Sequence, residues 1–136
     1  MLDLILCVDD DPITLMLCKM VISKSSFAHE IVTAQNGEDA INYFDELKLN
    51  NLGAEISRYP KLIFLDLNMP VMGGWEFLDH FSQSDYTTLF KETKVIVLSS
   101  TIDPRDIAKS KTYPMVIDFL SKPITKDMLE DLKKIF

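Results

Sequence analysis

Leu4-Ile5-Leu6-Cys7-Val8-Asp9-Asp10-Asp11-Pro12 places five apolar residues, three acids and a proline in succession. A short, unbroken apolar run of this kind fits a strand covered on both faces. Acids cannot continue such a strand. Asp11-Pro12 instead carries the mark of a helix start, an N-cap followed by proline at the first helical position. Residues 4–12 therefore read as a strand that delivers carboxylates to its own carboxyl end and turns at once into a helix.

Working outward, the same grammar recurs. Apolar runs lie at Glu30–Ala34, Leu62–Leu65, Val95–Leu98 and Val116–Leu120. The first, third and fourth runs of the chain are nearly continuous in aliphatics, whereas the second and fifth admit a polar residue. Between the runs, apolar residues recur at helical spacing. Ile13, Met16, Leu17, Met20 and Val21 form one stripe, and Ala40, Tyr43, Phe44 and Leu47 a second. Gly74, Phe77, Leu78 and Phe81 form a third, and Met128, Leu129, Leu132 and Phe136 the last. Asp106–Thr112 is the weakest helical segment, with only Ile107 and Ala108 apolar. Asp103-Pro104 repeats the helix-start device, and Asn36-Gly37 marks another turn into a helix.

Five strand–helix units predict a parallel sheet with helices on both faces, because parallel crossovers are right-handed. For so short a chain the expected fold is α/β and doubly wound, a flavodoxin-like (βα)5 with strand order 2-1-3-4-5. No linker or repeat divides residues 1–136, which are read as one domain. Two longer connections, Lys48–Tyr59 and Ser82–Thr93, are expected to be surface elaborations away from the chemically important end of the sheet.

Composition removes several partners. The chain has 136 residues, 47% of them hydrophobic, enough for one core without disulfides or structural metals. Its formal net charge of −7 disfavours nucleic acid. Apolar runs of about five residues fall well short of the ~20 that span a bilayer. The N-terminus has no basic segment and meets acids at once, unlike a signal peptide. Cys7 and Cys18 belong to no metal-binding pattern and read as buried free thiols in a reducing cytoplasm.

Ligands of open α/β sheets bind beyond the carboxyl ends of the strands. Those ends read Asp9-Asp10-Asp11, Asp66-Leu67-Asn68, Ser99-Ser100-Thr101 and Ser121-Lys122-Pro123. Clustered carboxylates repel one another unless a cation joins them, and Mg2+ suits a few carboxylates, a carbonyl and retained waters. A metal beside a carboxylate, facing a hydroxyl and an ammonium, suits transfer of a phosphoryl group to a carboxylate oxygen.

Four motifs in order carry a family resemblance. They are Leu6–Pro12, Phe64–Gly74, Val97-Leu98-Ser99-Ser100 and Phe119-Leu120-Ser121-Lys122-Pro123. Over essentially the whole chain, Leu4 to Phe136, the sequence resembles the receiver domains of two-component response regulators. The resemblance implies that Asp66 is the phosphoacceptor and that Asp9 and Asp10 are the acidic pair. Asp10 would hold Mg2+ directly and Asp9 mostly through water, with Asp66 and the Asn68 backbone carbonyl completing the set. Ser99 would hydrogen-bond the phosphoryl group, Lys122 would pair with it, and Phe119 is the aromatic that turns inward on activation. A cis Lys122-Pro123 bond is also implied.

The chain departs from the family in carrying Gly73-Gly74 for Asp-Gly, which implies altered loop geometry with the chemistry intact. Ser99 replaces the commoner threonine. Asn68 and Thr101 stand where the family tunes acyl-phosphate lifetime.

Each feature has a plainer reading beside it. Asp11 is fully accounted for as an N-cap. Ser100 and Thr101 are neighbouring hydroxyls, so only register selects Ser99. Trp75 and the seven methionines are expected in the core, and His29 and His80 carry no role.

The expected function is a response regulator that takes a phosphoryl group from a histidine kinase or phosphotransfer protein. It would then change the surface formed by the fourth helix, fifth strand and fifth helix. It is expected to be cytoplasmic, free-standing given its start at Met1, and a monomer or phosphorylation-dependent dimer. A turnover enzyme is not expected. Two competing readings are a pseudo-receiver binding module and a small aspartate-nucleophile phosphohydrolase. Retention of the whole residue set opposes the first, and Asn68 in place of a general acid opposes the second.

Overall fold

The computed structural model describes residues 1–136. Five strands form one all-parallel sheet: β1 (Leu2–Val8), β2 (Ala28–Ala34), β3 (Leu62–Asp66), β4 (Lys94–Ser99) and β5 (Val116–Ser121). Their order is β2-β1-β3-β4-β5, the doubly wound, flavodoxin-like order expected from the alternating pattern. The order also explains the composition of the runs. The three continuous aliphatic runs are the inner strands β1, β3 and β4, and the two that admit polar residues are the edges.

Side chains alternate between two cores. Ile5, Cys7, Phe64, Ile96 and Leu98 enter one, beneath α1 (Pro12–Lys24) and α6 (Lys126–Lys133). Leu6, Val8, Ile63, Leu65 and Val95 enter the other, beneath α2 (Gly37–Asn50) and α3 (Gly74–Phe81). The start signals act as their residue types require. Asp11, Asn36 and Asp103 accept from the backbone N–H groups of Ile13, Asp39 and Arg105 at 2.8–3.0 Å. Asp103 begins α5 (Pro104–Ser110), the helix beside β5.

Two expectations need correction. The first concerns the phase of α1. Its buried residues are Leu15, Cys18 and Ile22. Of the expected stripe, Ile13 is 63% exposed, Met16 55%, Leu17 45% and Met20 45%, leaving only Val21 packed on the core. The helix is apolar nearly all round, so two stripes one residue apart are equally plausible by spacing, and the sheet selects one.

The second concerns Ser82–Thr93, which is more than a surface elaboration. It contains a short helix, α4 (Ser84–Leu89), and buries Tyr86 and Phe90. Phe90 and Phe81 lie 4.8 and 4.7 Å from the Phe44 ring centroid, and Tyr59 from the other long connection packs on Phe90 at 5.3 Å. The Tyr86 hydroxyl donates to Asp45 at 2.6 Å. The two connections thus close the bottom of the second core. Both do lie at the amino ends of β3 and β4, away from the acidic residues.

The corrected phase of α1 predicts opposite outcomes on one helix. Ile22→Ala should cost about 3 kcal/mol in urea unfolding. Met16→Ala and Met20→Ala should each stay within about 0.5 kcal/mol of the parent.

Candidate functional site

β1 and β3 stop side by side, and the acids at their ends meet. Asp9 follows β1, its N–H bonded to the Ala34 carbonyl at 3.1 Å, and Asp66 ends β3. Asp9, Asp10 and Asp66 offer carboxylate oxygens within 4.8 Å of one another. Asp9 and Asp66 are buried, at 5% and 7% exposure, while Asp10 faces solvent.

Lys122, one residue past β5, reaches over them. Its ammonium lies 2.6 Å from Asp9 Oδ2 and 3.2 Å from Asp66 Oδ1. The other Asp9 oxygen accepts from the Asp11 N–H at 2.9 Å.

Three carboxylates against one ammonium leave the cluster under-neutralised. Burial, and then the Asp9 charge, raise the pKa of Asp66 above its ordinary value, and Lys122 only partly offsets them. For Lys122, burial acts to lower the pKa, but the Asp9 hydrogen bond and both carboxylates prevail and raise it. The donor set is all oxygen, partly exposed and short of positive charge, which fits a hard divalent cation.

Ser99 closes β4 and is buried. Its backbone carbonyl accepts from the Lys122 N–H at 2.8 Å, tying the hydroxyl-bearing and lysine-bearing strand ends together. Its hydroxyl turns back on its own loop, donating to the Thr101 carbonyl at 2.7 Å and accepting from the Thr101 N–H at 3.2 Å.

Asn68 lies in the loop after β3, where its backbone N–H acts to lower the Asp66 pKa and is outweighed by burial and the Asp9 charge. Phe119 is half-buried on β5, paired with Val97. It precedes Lys122 by three residues, on the strand whose end delivers that lysine. The Lys122-Pro123 bond is cis, as the motif implied. Cys7 and Cys18 are buried free thiols, and burial pushes Cys18 up to about 11.

The loop from β3 to α3 is held hard against the site. A Cβ on Gly74 would lie 2.6 Å from the Asp66 carbonyl and 2.8 Å from Leu67 Cα, so only glycine lets α3 approach here. Gly73 has ordinary extended backbone that any residue adopts, and as N-cap it has no side chain to offer. Val71 sits at φ +69° with 74% of its surface exposed. A β-branched residue in the left-handed region is strained.

Sequence reasoning missed the rim of this site. Ile13, Met16 and Leu17 on α1, Val71 and Ile102 are all exposed apolar residues near the strand ends. Their hydrophobicity is plain in the sequence, but hydrophobicity alone places the α1 residues in the core.

Such a site on such a sheet defines a signalling receiver. The chain belongs to the response regulator receiver domain family, whose model matches residues 5–134. It is similar to a two-component response regulator from Cytophaga hutchinsonii, with 34% identity and a TM-score of 0.86 over 98% of this chain and 96% of that one. It is 26% identical to the chemotaxis protein CheY of Listeria monocytogenes serovar 1/2a, over 96% of this chain and 95% of the relative. It is also 29% identical over 93% of its length to hybrid signal transduction histidine kinase C of Dictyostelium discoideum, but spans only 9% of that protein. Receivers generally bind Mg2+ at an acidic pocket, and an acidic pocket is present here. No helix is long and apolar enough to cross a membrane.

Because the folded protein holds the Asp66 proton to higher pH than the unfolded chain does, the ionised carboxylate costs stability as pH rises through its titration. Asp66→Asn should therefore raise the thermal midpoint of the metal-free protein at pH 7, by roughly 3–5 °C per kcal/mol relieved. The gain should shrink toward pH 4. Adding Mg2+ should stabilise the parent more than the variant. A lower midpoint for Asp66→Asn without metal would show that the Lys122 pairing outweighs the repulsion.

Proposed function

We propose that Asp66 is the phosphoacceptor of this receiver and that its donor is a phosphohistidine on a histidine kinase or phosphotransfer protein. The observation that carries the proposal is the Asp9–Lys122–Asp66 bridge, which holds one buried carboxylate between an acidic pair and a fixed ammonium. In the transfer, an Asp66 carboxylate oxygen bonds to phosphorus as the phosphorus–nitrogen bond breaks. The imidazole leaves with the bonding pair and an acyl phosphate remains.

Lys122 places positive charge beside the phosphoryl oxygens without leaving the site. Ser99 supplies a hydroxyl donor once it gives up the Thr101 carbonyl. Asp9, Asp10, Asp66 and the Asn68 backbone carbonyl are the groups to hold Mg2+, which supplies charge neutralisation to the transferring group.

Phosphorylation adds about 1.5–2 negative charges and biases the chain between two arrangements. The responding surface is α5, β5 and α6, with Phe119 repacking as Ser99 moves. Asn68 leaves no general acid two residues beyond Asp66, which favours a switch over a turnover phosphohydrolase. The buried thiols fit a reducing, cytoplasmic setting.

The exposed apolar face of α1, together with Val71, suits a helical phosphodonor. Ile13, Met16, Leu17 and Met20 recur at helical spacing beside the site, and methionines adapt to irregular partners. Strain retained at an exposed valine points the same way, since strained residues persist where function requires them.

Intact-mass measurement with Mg2+ and acetyl phosphate should show one phosphoryl adduct on the parent and none on Asp66→Asn. An unmodified parent would overturn the proposal, and rapid turnover of unrelated phosphomonoesters would favour the enzyme. For the docking face, Met16→Asp should slow transfer from a phosphohistidine protein at least tenfold more than transfer from acetyl phosphate. Val71→Asn should raise stability by about 1 kcal/mol by relieving the left-handed valine while slowing the protein donor. Equal slowing of both donors by Met16→Asp would remove α1 from the interface.

A further inference from the structure

α5 is a seven-residue helix that buries only Ser110. So short and so little buried a helix is marginal by itself and depends on what grips it. At its amino end it is continuous with the Ser99–Asp103 loop. That loop is closed by the paired hydrogen bonds between the Ser99 hydroxyl and Thr101.

Its carboxyl end is gripped from α3. The Lys109 ammonium lies 4.7 Å from the centroid of the Trp75 ring. Tyr113, just past the helix, stacks on the same indole at 5.9 Å and 18°. The Tyr113 hydroxyl donates to Asp79 at 2.6 Å. Trp75 and Asp79 stand one helical turn apart on α3, so a single face of α3 holds residues 109 to 113. Trp75 is half-buried and packs on the core beneath α3, which makes it the fixed half of the arrangement.

We propose that Lys109, Trp75, Tyr113 and Asp79 form a latch that holds α5 in its unphosphorylated position. The latch sets how readily phosphorylation of Asp66 shifts the chain to its second arrangement. The coupling rests on the phosphoacceptor reading of Asp66; the latch does not. A phosphoryl group on Asp66 takes the Ser99 hydroxyl as donor and removes it from the Thr101 carbonyl. That loosens the amino end of α5, while the aromatic and cationic contacts still hold its carboxyl end.

An aromatic pair with an exposed cation over it changes a two-state population by about tenfold. This places the latch in the range that tunes a switch without locking it. Releasing it should raise the fraction of chains already in the second arrangement, and with it the rate of phosphorylation.

Backbone amide hydrogen exchange of the full chain with Mg2+, and no phosphodonor, tests the latch alone. In Trp75→Leu, amides from Ile107 to Tyr113 should exchange about tenfold faster than in the parent, with those of α1 and β3 unchanged. Lys109→Gln should give about a threefold increase that Lys109→Arg reverses, because arginine also stacks on indole. Lys111→Gln removes the same charge from the helix end without touching Trp75 and should leave exchange at its parental rate. If Trp75→Leu does not fold, the exposed Lys109 series decides. Equal exchange in Lys109→Gln and Lys111→Gln overturns the latch.

The coupling is read as acyl-phosphate formation from acetyl phosphate, which should be about threefold faster in Lys109→Gln and parental in Lys109→Arg. Faster exchange without faster phosphorylation overturns the coupling. Failure of the parent to form any adduct instead overturns the phosphoacceptor reading and leaves the latch to be judged by exchange.

Discussion

The inner strands of this sheet cannot carry charge on either face, and the rest of the molecule follows from that restriction. β1, β3 and β4 pack against helices on both sides, so a polar side chain within them would be buried without partners. Charge must leave at the strand ends. The parallel arrangement then brings all those ends to one edge, where Asp9, Asp66, Ser99 and Lys122 meet although the chain separates the first and last by more than a hundred residues. Neighbouring carboxylates that would repel one another in any other setting are held together by the hydrogen-bonded sheet beneath them. Lys122 makes the metal-free arrangement tolerable by bridging two of the three. Relief is incomplete, and the residual negative charge on an all-oxygen donor set is what makes the cluster suited to a divalent cation.

Much of this was legible before the fold was known, and for one reason: strands covered on both faces write themselves as unbroken aliphatic runs. Each run was located within two residues of the observed strand, and the difference in purity between inner and edge strands was already present in Glu30 and Asp118. The residues meeting at the edge could be named because the rule that places ligands at strand ends acts on order along the chain. The phase of α1 could not be read. With Ile13, Leu15, Met16, Leu17, Cys18, Met20, Val21 and Ile22 in one helix, periodicity has no polar face to contrast against. The buried line of Leu15, Cys18 and Ile22 is decided by where the sheet lies. α4 was equally hidden, because six residues cannot establish a helical period. Its burial depends on Phe81 and Asp45, which meet Tyr86 only through the tertiary fold.

The exposed apolar face of α1 has a physical consequence. The four large apolar residues that α1 exposes contribute little burial to the fold, and polar residues there would leave its stability nearly unchanged. Val71 adds local backbone strain at the same rim. Neither feature helps the isolated domain, and neither is needed to hold the carboxylates in place. Exposed apolar surface beside a charged site divides the work of recognition. In the proposed function the charges are left free to change with phosphorylation state, and the apolar rim offers a binding surface that does not depend on that state.

The same division of labour appears on the opposite side of the site, where α5 is gripped by contacts that are individually weak. A deeply buried helix would respond to nothing that one phosphoryl group can offer, since the shift in population is limited by the difference in contacts between the two arrangements. The hydroxyl of Ser99 has one strong donor interaction to give, worth about 1.5–3 kcal/mol toward a charged acceptor. For that single hydrogen bond to matter, what opposes it at α5 must be of similar size. A cation over an indole, a stacked phenol and one carboxylate hydrogen bond at the protein surface meet that condition, where a buried leucine face would exceed it. For the switch proposed here, the scarcity of apolar residues between Asp106 and Thr112 is therefore a requirement, and the shallow grip on α5 is what would keep two arrangements within reach of one another.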